Sequence, residues 1–502
     1  MPHGWLSARG RVLAGAGVGI LSWVLSPSLV DEAVGDGPAR EARLRSLPSR
    51  LGVYFVLGLC LFSAEPYGEV MRLLTEGLEG PLAAAGWRVP VSRALTGARR
   101  RVGEKPLEAL FRKVAGAVSP GTAPWSHLGG LLLAAWDGTC VLVADSEANA
   151  AAFGRAGCPG RQSAAAGGRA GAYPQARVVT LLACGTRAVI GAAIGPVQGK
   201  GTSEKALAAG MLGCLRAGML LLADRYYYSW KLWDAAAATG AHLLWRVPAG
   251  TSSLRLPACA GLDDGSWLSR VWERPARADR GVPRKRQDRG ASRAVRVIEF
   301  TIAVDGDGGS TRTERYRLIT TLLDHVAFPA ADLAACYARR WSAELAYREL
   351  KTCLRGPGRV LRGRTPDLAR QEIWAYLAIY QAIRVIIARA AARDGLDPAR
   401  ISFSAALSAA RRSIQAARAS MTTALDEAEA QILDPAALVP ERQGRVCPRV
   451  AKHRFVTWPP PHRARTIPHH ATYHVTITTH ATTTRHPSHQ GKQPPKQSPN
   501  PP

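Results

Sequence analysis

The chain has 502 residues, of which 47% are hydrophobic, and it carries a formal net charge of +28. This length is enough for two or three domains with a sizeable core. The positive excess, supplied mostly by Arg, favours a polyanionic partner, and nucleic acid is the first candidate. The competing explanation is a coding bias toward Ala, Arg and Gly, which runs through the whole chain.

The nine Cys are scattered from Cys60 to Cys447, and no two of them form a C-x-x-C pair. Neither a disulfide framework nor a zinc site is therefore indicated, and a reducing cytoplasm is the expected location. Two apolar runs lie at 12–25 and 51–64. The first resembles a signal peptide but no cleavage site follows it, and the second is too short to span a bilayer. We expect both to be buried helices in a protein with no membrane association.

Residues 1–125 are predicted to form a helical domain that binds DNA. Helix candidates lie at 29–34, 51–63, 67–78, 91–101 and 107–118. The segment 67–78 is the clearest, because Val70, Leu73 and Leu74 follow the i, i+3, i+4 spacing of one helix face. Successive short basic helices are compatible with DNA recognition, and a plain helical packing domain is the alternative.

From residue 129 the pattern changes to strands. Apolar β-type runs lie at 129–136, 140–144, 177–184 and 188–193, and Gly185-Thr-Arg joins the last two as a hairpin. A helix at 203–215, an apolar strand at 219–223, a helix at 229–239 and a strand at 242–247 follow. This order predicts an α/β fold whose central sheet is covered by helices. Asp137 and Asp224 lie on, or at the end of, strands in the middle of that sheet.

The segment 248–328 is predicted to be a mostly β insertion, and it includes a strongly basic loop at 275–293. Helices are expected from residue 331 and at 367–393 and 403–417. Residues 435–502 form a His-, Pro- and Thr-rich tail with no acidic residue after Glu441, and we expect this tail to be disordered. It is either a loose electrostatic contact for DNA or an unselected extension of a shorter protein.

The stretch 337–351 has neither Gly nor Pro and is predicted to be one helix. At about 100° per residue, Tyr337, Arg340, Glu344 and Lys351 fall within an arc of about 60°. One helix face then presents a carboxylate between groups that bind phosphate. The alternative is a solvated helix with i,i+4 ion pairs. Arg339 and Glu349 lie well off this face and are expected on the solvated surface.

Asp137, Asp224 and Glu344 are three carboxylates that the predicted sheet and helix can bring together. Three converging negative charges are costly unless cations neutralise them, and hard oxygen ligands select Mg²⁺ or Mn²⁺. Two such ions suit phosphodiester chemistry. The alternatives are ordinary: Asp137 followed by Gly138 is also typical of a turn, and Asp224 is suited to cap the next helix.

The helix matches the pattern Y-(2)-R-(3)-E-(6)-K, and the chain therefore resembles DDE transposases of bacterial insertion sequences of the insertion-sequence-four type. Three further stretches resemble the same family: Trp136-Asp-Gly-Thr, Leu221-Leu-Ala-Asp-Arg-Tyr-Tyr-Tyr-Ser, and Leu29-Val-Asp-Glu with Leu47-Pro-Ser-Arg-Leu-Gly-Val-Tyr-Phe-Val-Leu. The resemblance covers roughly residues 20–420.

This resemblance implies a ribonuclease-H-like catalytic domain at 126–420, with the β-rich insertion before Glu344. It implies Asp137, Asp224 and Glu344 as catalytic ligands of two Mg²⁺ or Mn²⁺ ions, and Tyr337, Arg340 and Lys351 as DNA-binding residues. The partners would be double-stranded DNA, both element ends and target, and a second copy of the chain in a synaptic complex within the cytoplasm, at the nucleoid.

The chain departs from the resemblance at Tyr226, where a smaller residue is expected and a larger one would crowd the site. Relatives stack a Trp of the insertion on a flipped base; Trp267 and Trp272 are the candidates, and core packing is the favoured alternative for both. The intact carboxylate triad favours a catalytic transposase over a catalytically inactive DNA-binding derivative. A third hypothesis is a nuclease or resolvase of the same fold, which would be distinguished by its lack of strand transfer.

Overall fold

The computed structural model describes residues 16–35, 47–76, 78–84, 86–119, 123–155, 173–248, 254–273, 290–305, 311–415, 420–439 and 474–479. The α-helices are α1 Pro27–Val34, α2 Ser49–Leu61, α3 Tyr67–Thr75, α4 Glu79–Ala84, α5 Ser92–Val102, α6 Lys105–Val114, α7 Glu147–Phe153, α8 Glu204–Ala209, α9 Trp230–Ala238, α10 Ala330–Tyr337, α11 Trp341–Arg348, α12 Pro366–Arg393, α13 Phe403–Gln415 and α14 Met421–Leu433. The strands are β1 His127–Leu128, β2 Leu131–Leu142, β3 Gln175–Ala183, β4 Val189–Pro196, β5 Met219–Ala223, β6 His242–Val247, β7 Ala260–Gly261, β8 Trp267–Trp272, β9 Ser292–Asp305, β10 Thr311–Thr320 and β11 His474–Thr479.

The N-terminal part is helical, and the five predicted helices are confirmed with ends that differ by a few residues. Helix α1 starts where Ser26 accepts a hydrogen bond from the Leu29 N–H and Pro27 takes the first helical position. Helix α2 is buried from residue 51 to residue 61, as its apolar run predicted. Gly58 allows α3 to approach closely, because a Cβ there would lie 2.9 Å from Leu74 Cδ1.

The sheet has the strand order β4-β3-β2-β5-β6-β10-β9-β8-β7, with β1 paired to β2 and β11 paired to β9. Strands β2, β5 and β6 are mutually parallel, whereas β3 and β4 form the predicted antiparallel hairpin. Along β2, Leu133 and Ala135 join one core cluster, and Ala134 and Trp136 join another. Both faces of the sheet are therefore covered, as predicted.

The sheet differs from the sequence prediction in two places. The runs 129–136 and 140–144 are parts of one long strand, β2, which continues through Asp137 and Gly138. The segment 248–328 is β-rich as predicted, and its strands extend the central sheet, because residues 317–320 of β10 pair with 244–247 of β6. Most of the basic loop, residues 274–289, lies outside the described part of the chain.

The helical run that carries Glu344 is continuous but not uniform. Helix α10 leads into a 3₁₀ turn at Ala338–Arg340, then into α11, and then into a π-helix at Glu349–Leu354. A 3₁₀ turn holds three residues and a π turn more than an α turn, so the angle per residue changes twice. The predicted helix is therefore present, whereas the arc of about 60°, which assumes a uniform helix, does not carry over unchanged.

The C-terminal helices pack against the N-terminal ones and the sheet. Helix α12 is long and apolar enough to cross a membrane. However, 89% of its most apolar stretch is buried within the protein, which is typical of a core helix. Helix α14 was not predicted. The tail prediction is wrong for two short segments, because Pro435–Ala437 forms a 3₁₀ helix and His474–Thr479 pairs with β9. The rest of 440–502 lies outside the described residues.

Candidate active site

Asp137 and Asp224 lie at matching positions on neighbouring parallel strands. Strands β2 and β5 pair with Ala135 opposite Leu222, and each Asp follows two residues later. Neighbouring strands lie about 5 Å apart, and residues two apart on a strand project from the same face. Continuing the register of the two strands therefore places both aspartates at one point of the sheet.

Asp137 lies inside β2, opposite Thr180 of β3, so the alternative that Asp137 and Gly138 form a turn is wrong. The Gly138 N–H donates a hydrogen bond of 3.0 Å to Asp137 Oδ1. Burial raises the pKa of Asp137 from 3.8 to about 6, and the bond from Gly138 opposes this rise. The other charged groups that change this pKa are Arg340, which lowers it, and Glu344 and Glu204, which raise it.

Asp224 follows the last residue of β5 directly. Its Oδ1 accepts a hydrogen bond of 2.6 Å from the Arg225 N–H. The alternative that Asp224 caps the next helix is wrong, because Ser229 caps α9 by accepting from the Leu232 N–H. The carboxylate of Asp224 is therefore not used as a helix cap.

Tyr337 is buried, with 6% of its surface exposed. Its hydroxyl donates a hydrogen bond of 3.3 Å to the carbonyl of Ala223, one residue before Asp224. In this conformation Tyr337 connects α10 to the end of β5 and so supports the position of Asp224. The predicted contact of Tyr337 with DNA stays a prediction.

Arg340 links the three carboxylates electrostatically. Its Nη2 lies 3.5 Å from Glu344 Oε1, one helical turn further along the run. Burial alone would lower the pKa of Arg340, but its pKa is raised by four acidic groups: Tyr337, Asp224, Asp137 and Glu344. Its Nε is buried and has no hydrogen-bond partner among the described residues. Such a donor suits an additional anionic group at this point.

Lys351 and Tyr347 connect the helical run to β2. Lys351 Nζ donates a hydrogen bond of 3.0 Å to Thr139 Oγ1, and Thr139 lies two residues beyond Asp137 on the same strand face. The buried Tyr347 hydroxyl donates to the Asp137 carbonyl at 2.7 Å and lies 2.8 Å from Thr180 Oγ1. The predicted DNA-binding lysine is thus placed beside the strand that carries Asp137.

The residues fit a hard divalent cation by their chemistry. Asp137, Asp224 and Glu344 supply the oxygen ligands that Mg²⁺ and Mn²⁺ prefer. Burial raises the pKa of Asp137 and disfavours its ionised form, which a bound cation would stabilise. Within the described ranges, no three His, Cys, Asp or Glu side chains are arranged as a finished metal site. As arranged, the positive charge that all three carboxylates share is that of Arg340.

Sequence reasoning missed two residues of this site. One is Tyr347, an aromatic residue within the charged stretch 337–351, which could have been recognised as a side chain that packs against the sheet. The other is Glu204, which lies in the predicted helix 203–215 and has no role in the predicted site. A Cβ on Gly138 would lie 2.4 Å from Glu204 Cδ, so a fourth carboxyl group packs directly over the residue that follows Asp137.

The resemblance drew attention to three aromatic residues, Trp267, Trp272 and Tyr226, and the structure shows the surroundings of each. Trp267 is buried in the core, and its Nε1 donates to the Leu256 carbonyl at 3.1 Å, so the packing alternative is confirmed for it. Trp272 is partly buried and lies 5.8 Å from the Arg270 guanidinium. Tyr226 is 52% exposed, so most of its bulk lies in solvent.

Two family models match the chain: the N-terminal domain of the insertion element 4 transposase over residues 16–112, and the transposase DDE domain over residues 130–381. The second model covers half of the chain. The chain belongs to the IS4 family of DDE transposases. The resemblance based on the Y-R-E-K pattern is thereby confirmed, and the range matched by the DDE model contains Asp137, Asp224 and Glu344.

Several known proteins resemble this IS4-family chain. Transposase InsG for insertion sequence element IS4, from Escherichia coli strain K12, is 27% identical over 440 residues, which is 87% of this chain and 92% of InsG. The putative transposase InsZ of the same organism is 30% identical over 41% of this chain and 63% of its own. A solved piggyBac transposase synaptic complex with hairpin DNA aligns with 86% of this chain and 84% of its own, at 9% identity and a TM-score of 0.38.

Proposed function

We propose that this IS4-family transposase cleaves the ends of an insertion sequence and joins them to target DNA, with Asp137, Asp224 and Glu344 as its catalytic carboxylates. The observation that carries this assignment is the register of β2 and β5, in which Asp137 and Asp224 occupy matching positions. The helical run supplies the third carboxylate, and Arg340 Nη2 lies 3.5 Å from Glu344 Oε1.

The three carboxylates would hold two Mg²⁺ or Mn²⁺ ions. When bound, such ions would activate a water or a 3′ hydroxyl and stabilise the leaving oxygen of an in-line displacement. Hydrogen bonds within the protein would hold the backbone near two of these carboxylates in place. Tyr347 fixes the backbone of Asp137, and Tyr337 fixes the end of the strand that precedes Asp224.

Arg340 and Lys351 are proposed to bind phosphates of the transposon end. Arg340 is separated from Glu344 by 3.5 Å, a long contact for an ion pair, and its buried Nε is free for a further acceptor. A phosphate that takes over the guanidinium would release Glu344 to serve as a metal ligand. In this scheme DNA binding and completion of the metal site are one event. Tyr337 would contribute to DNA binding through the same helical run.

We further propose that residues 126–420 form a ribonuclease-H-like core, preceded by a DNA-binding domain at 1–125. Support comes from the antiparallel strands β4, β3 and β2 followed by the parallel strands β5 and β6. The β-rich segment 248–328 joins the same sheet, and the basic tail from residue 435 would add non-specific affinity for DNA.

The proposed partners are double-stranded DNA, as element ends and as target, and a second copy of the chain. The net charge of +28 supports a polyanionic partner. Two ends must be held together to be joined to one target, which favours a homodimer in a synaptic complex. The proposed location is the cytoplasm, at the nucleoid, where this DNA lies.

No observation favours the catalytically inactive alternative. All three carboxylates are present, and the exposure of Tyr226 removes the main steric objection. The decisive experiment measures Mg²⁺-dependent cleavage and joining of an element-end duplex. We expect activity in the wild type and in the control Glu427→Gln, an exposed glutamate on α14, but none in Glu344→Gln. Equal activity in the two variants would refute the catalytic assignment, and end binding without cleavage in the wild type would support the inactive alternative.

A further inference from the structure

Glu349 is a buried acid on the helical run that carries Glu344. Only 6% of its surface is exposed, so the prediction that it lies on the solvated surface is wrong. Arg187 Nη1 lies 2.7 Å from its Oε1, and Arg384 forms a second ion pair with its Oε2. Burial would raise the pKa of Glu349, but Arg384 and Arg187 lower it below the ordinary value, so Glu349 is ionised.

The partners of Glu349 connect three parts of the fold. Arg187 lies in the turn between β3 and β4, whereas Arg384 and Tyr380 lie on the core helix α12. The Tyr380 hydroxyl lies 3.1 Å from both Glu349 Oε2 and the Arg187 carbonyl, and it donates to one of them at a time. Glu349 therefore joins its helical run to the sheet and to α12 through charged hydrogen bonds.

The backbone of Arg187 supports a specific role for this network. Its φ is +56°, in the left-handed region that residues other than glycine seldom adopt. Its carbonyl lies within hydrogen-bond distance of Tyr380 and its guanidinium is paired with Glu349, so the network holds this conformation at both ends of the residue. The turn that follows β3 is thus fixed to the helical run.

This side of the helical run is not fully packed. A cavity of about 520 Å³ lies there, and Glu349, Arg187, Cys353 and Phe403 are among the residues that line it. Where apolar side chains leave space, charged hydrogen bonds with defined geometry set the orientation of a helix. The π-helix also begins at Glu349, five residues after Glu344, and π turns often occur at functional sites.

We propose that Glu349 is a positioning residue that sets the rotation of the helical run and so directs Glu344 and Arg340 toward Asp137 and Asp224. On one side of the run, Tyr347 and Lys351 contact β2; on the other, Glu349 contacts Arg187 and α12. The inference rests on the proposed function, because it assigns Glu344 to the metal site. It adds a residue that touches neither the metal nor DNA.

The chain offers a matched control in Glu372, another buried glutamate on α12. Arg99 Nη2 lies 2.7 Å from Glu372 Oε2, and both side chains are almost fully buried. Arg99 also donates to Gln371 and Tyr67, so this pair connects the N-terminal helices to α12. Among the described residues, Glu372 forms no hydrogen bond or ion pair with the run from α10 to the π-helix. Glu372→Gln removes the same charge in the same kind of environment, without the proposed effect on Glu344.

The test compares Glu349→Gln, Glu372→Gln, Glu344→Gln and the wild type. Mn²⁺ affinity is measured by electron paramagnetic resonance on an end duplex that carries no reactive hydroxyl, and amide hydrogen exchange is followed at 341–354 without metal. We expect Glu349→Gln to weaken Mn²⁺ binding by about tenfold or more and to accelerate exchange at 341–354. Glu372→Gln should change neither, although both variants should unfold at lower temperature.

The outcomes separate the two proposals. Equal Mn²⁺ affinity in the wild type and Glu344→Gln would overturn the proposed metal site, and this inference with it. Loss of affinity in Glu344→Gln together with unchanged affinity and exchange in Glu349→Gln would overturn the inference alone. If Glu349→Gln fails to fold, Glu349→Asp replaces it, with Glu372→Asp as its control. The shorter charged side chain should weaken Mn²⁺ binding at position 349 only, and equal affinity in both Asp variants would again overturn the inference.

Discussion

Replacing Asp137 by Asn is expected to stabilise the metal-free protein while it abolishes catalysis. Burial raises the pKa of Asp137 from 3.8 to about 6, so at neutral pH the folded protein holds an ionised group that it disfavours. The Gly138 N–H bonds to Asp137 Oδ1, and the amide oxygen of Asn can accept the same bond. The substitution therefore removes a charge and keeps the contact.

The magnitude follows from linkage between ionisation and folding. A shift from 3.8 to about 6 corresponds to about 3 kcal/mol, at 1.36 kcal/mol per pKa unit. Solvent screening lowers this figure, because Asp137 is only half-buried. Since the folded pKa is raised, the stability that protonation provides is complete below the unfolded pKa and is lost as the pH rises through about 6. The Asp137→Asn variant, which has no ionisable group at this position, would retain that stability at every pH.

The assay is urea denaturation of both metal-free proteins across the pH range. The free energy of unfolding of Asp137→Asn should exceed that of the wild type by up to about 3 kcal/mol at pH ~8, and the difference should shrink to its low-pH value by pH ~4. Added Mg²⁺ should stabilise the wild type and leave the variant unchanged. A difference between the two proteins that stays constant from low to high pH would refute this account of Asp137.

Three further substitutions test the contacts around the site and the core. Tyr347→Phe removes the donor to the Asp137 carbonyl and should lower the free energy of unfolding by about 1–3 kcal/mol in urea denaturation. Gly138→Ala would place a Cβ 2.4 Å from Glu204 Cδ and should slow cleavage, with recovery when Glu204→Ala is added to the same chain. Arg99→Met leaves the buried Glu372 carboxylate without its cationic partner and should cost about 3–5 kcal/mol of stability, seen as a lower thermal midpoint.

Much of the fold was predictable because its elements are locally specified. The strand β5 is wholly apolar and short, and its predicted bounds agree with the structure. The N-terminal helices could also be predicted, from the spacing of their apolar residues and from the helix-breaking residues between them. By contrast, the two apolar runs around Asp137 looked like separate strands, because Asp-Gly is a common turn signal. Pairing with both β3 and β5 overrides that local preference and keeps β2 continuous.

The site was predictable as a set of residue types but not as a network of contacts. Spacing along a helix indicated which side chains share a face, and it placed Glu349 on the solvated surface. Its burial depends on Arg187 and Arg384, which are distant in sequence, so no local pattern reveals it. The π turn that begins at Glu349 is equally hidden, since no residue type marks a change from the α to the π repeat.

Asp137 and Glu349 have opposite protonation preferences, and both bear on how the candidate site is held together. Asp137 is ionised against the preference of its surroundings, whereas Glu349 is ionised because two guanidinium groups surround it. Contacts that do not depend on a bound cation hold the helical run beside Asp137. Tyr347 supplies one such contact on the side of the helical run that faces β2, and Glu349 supplies another on the side that faces Arg187. In the proposed mechanism, a bound cation would offset the unfavourable ionisation of Asp137.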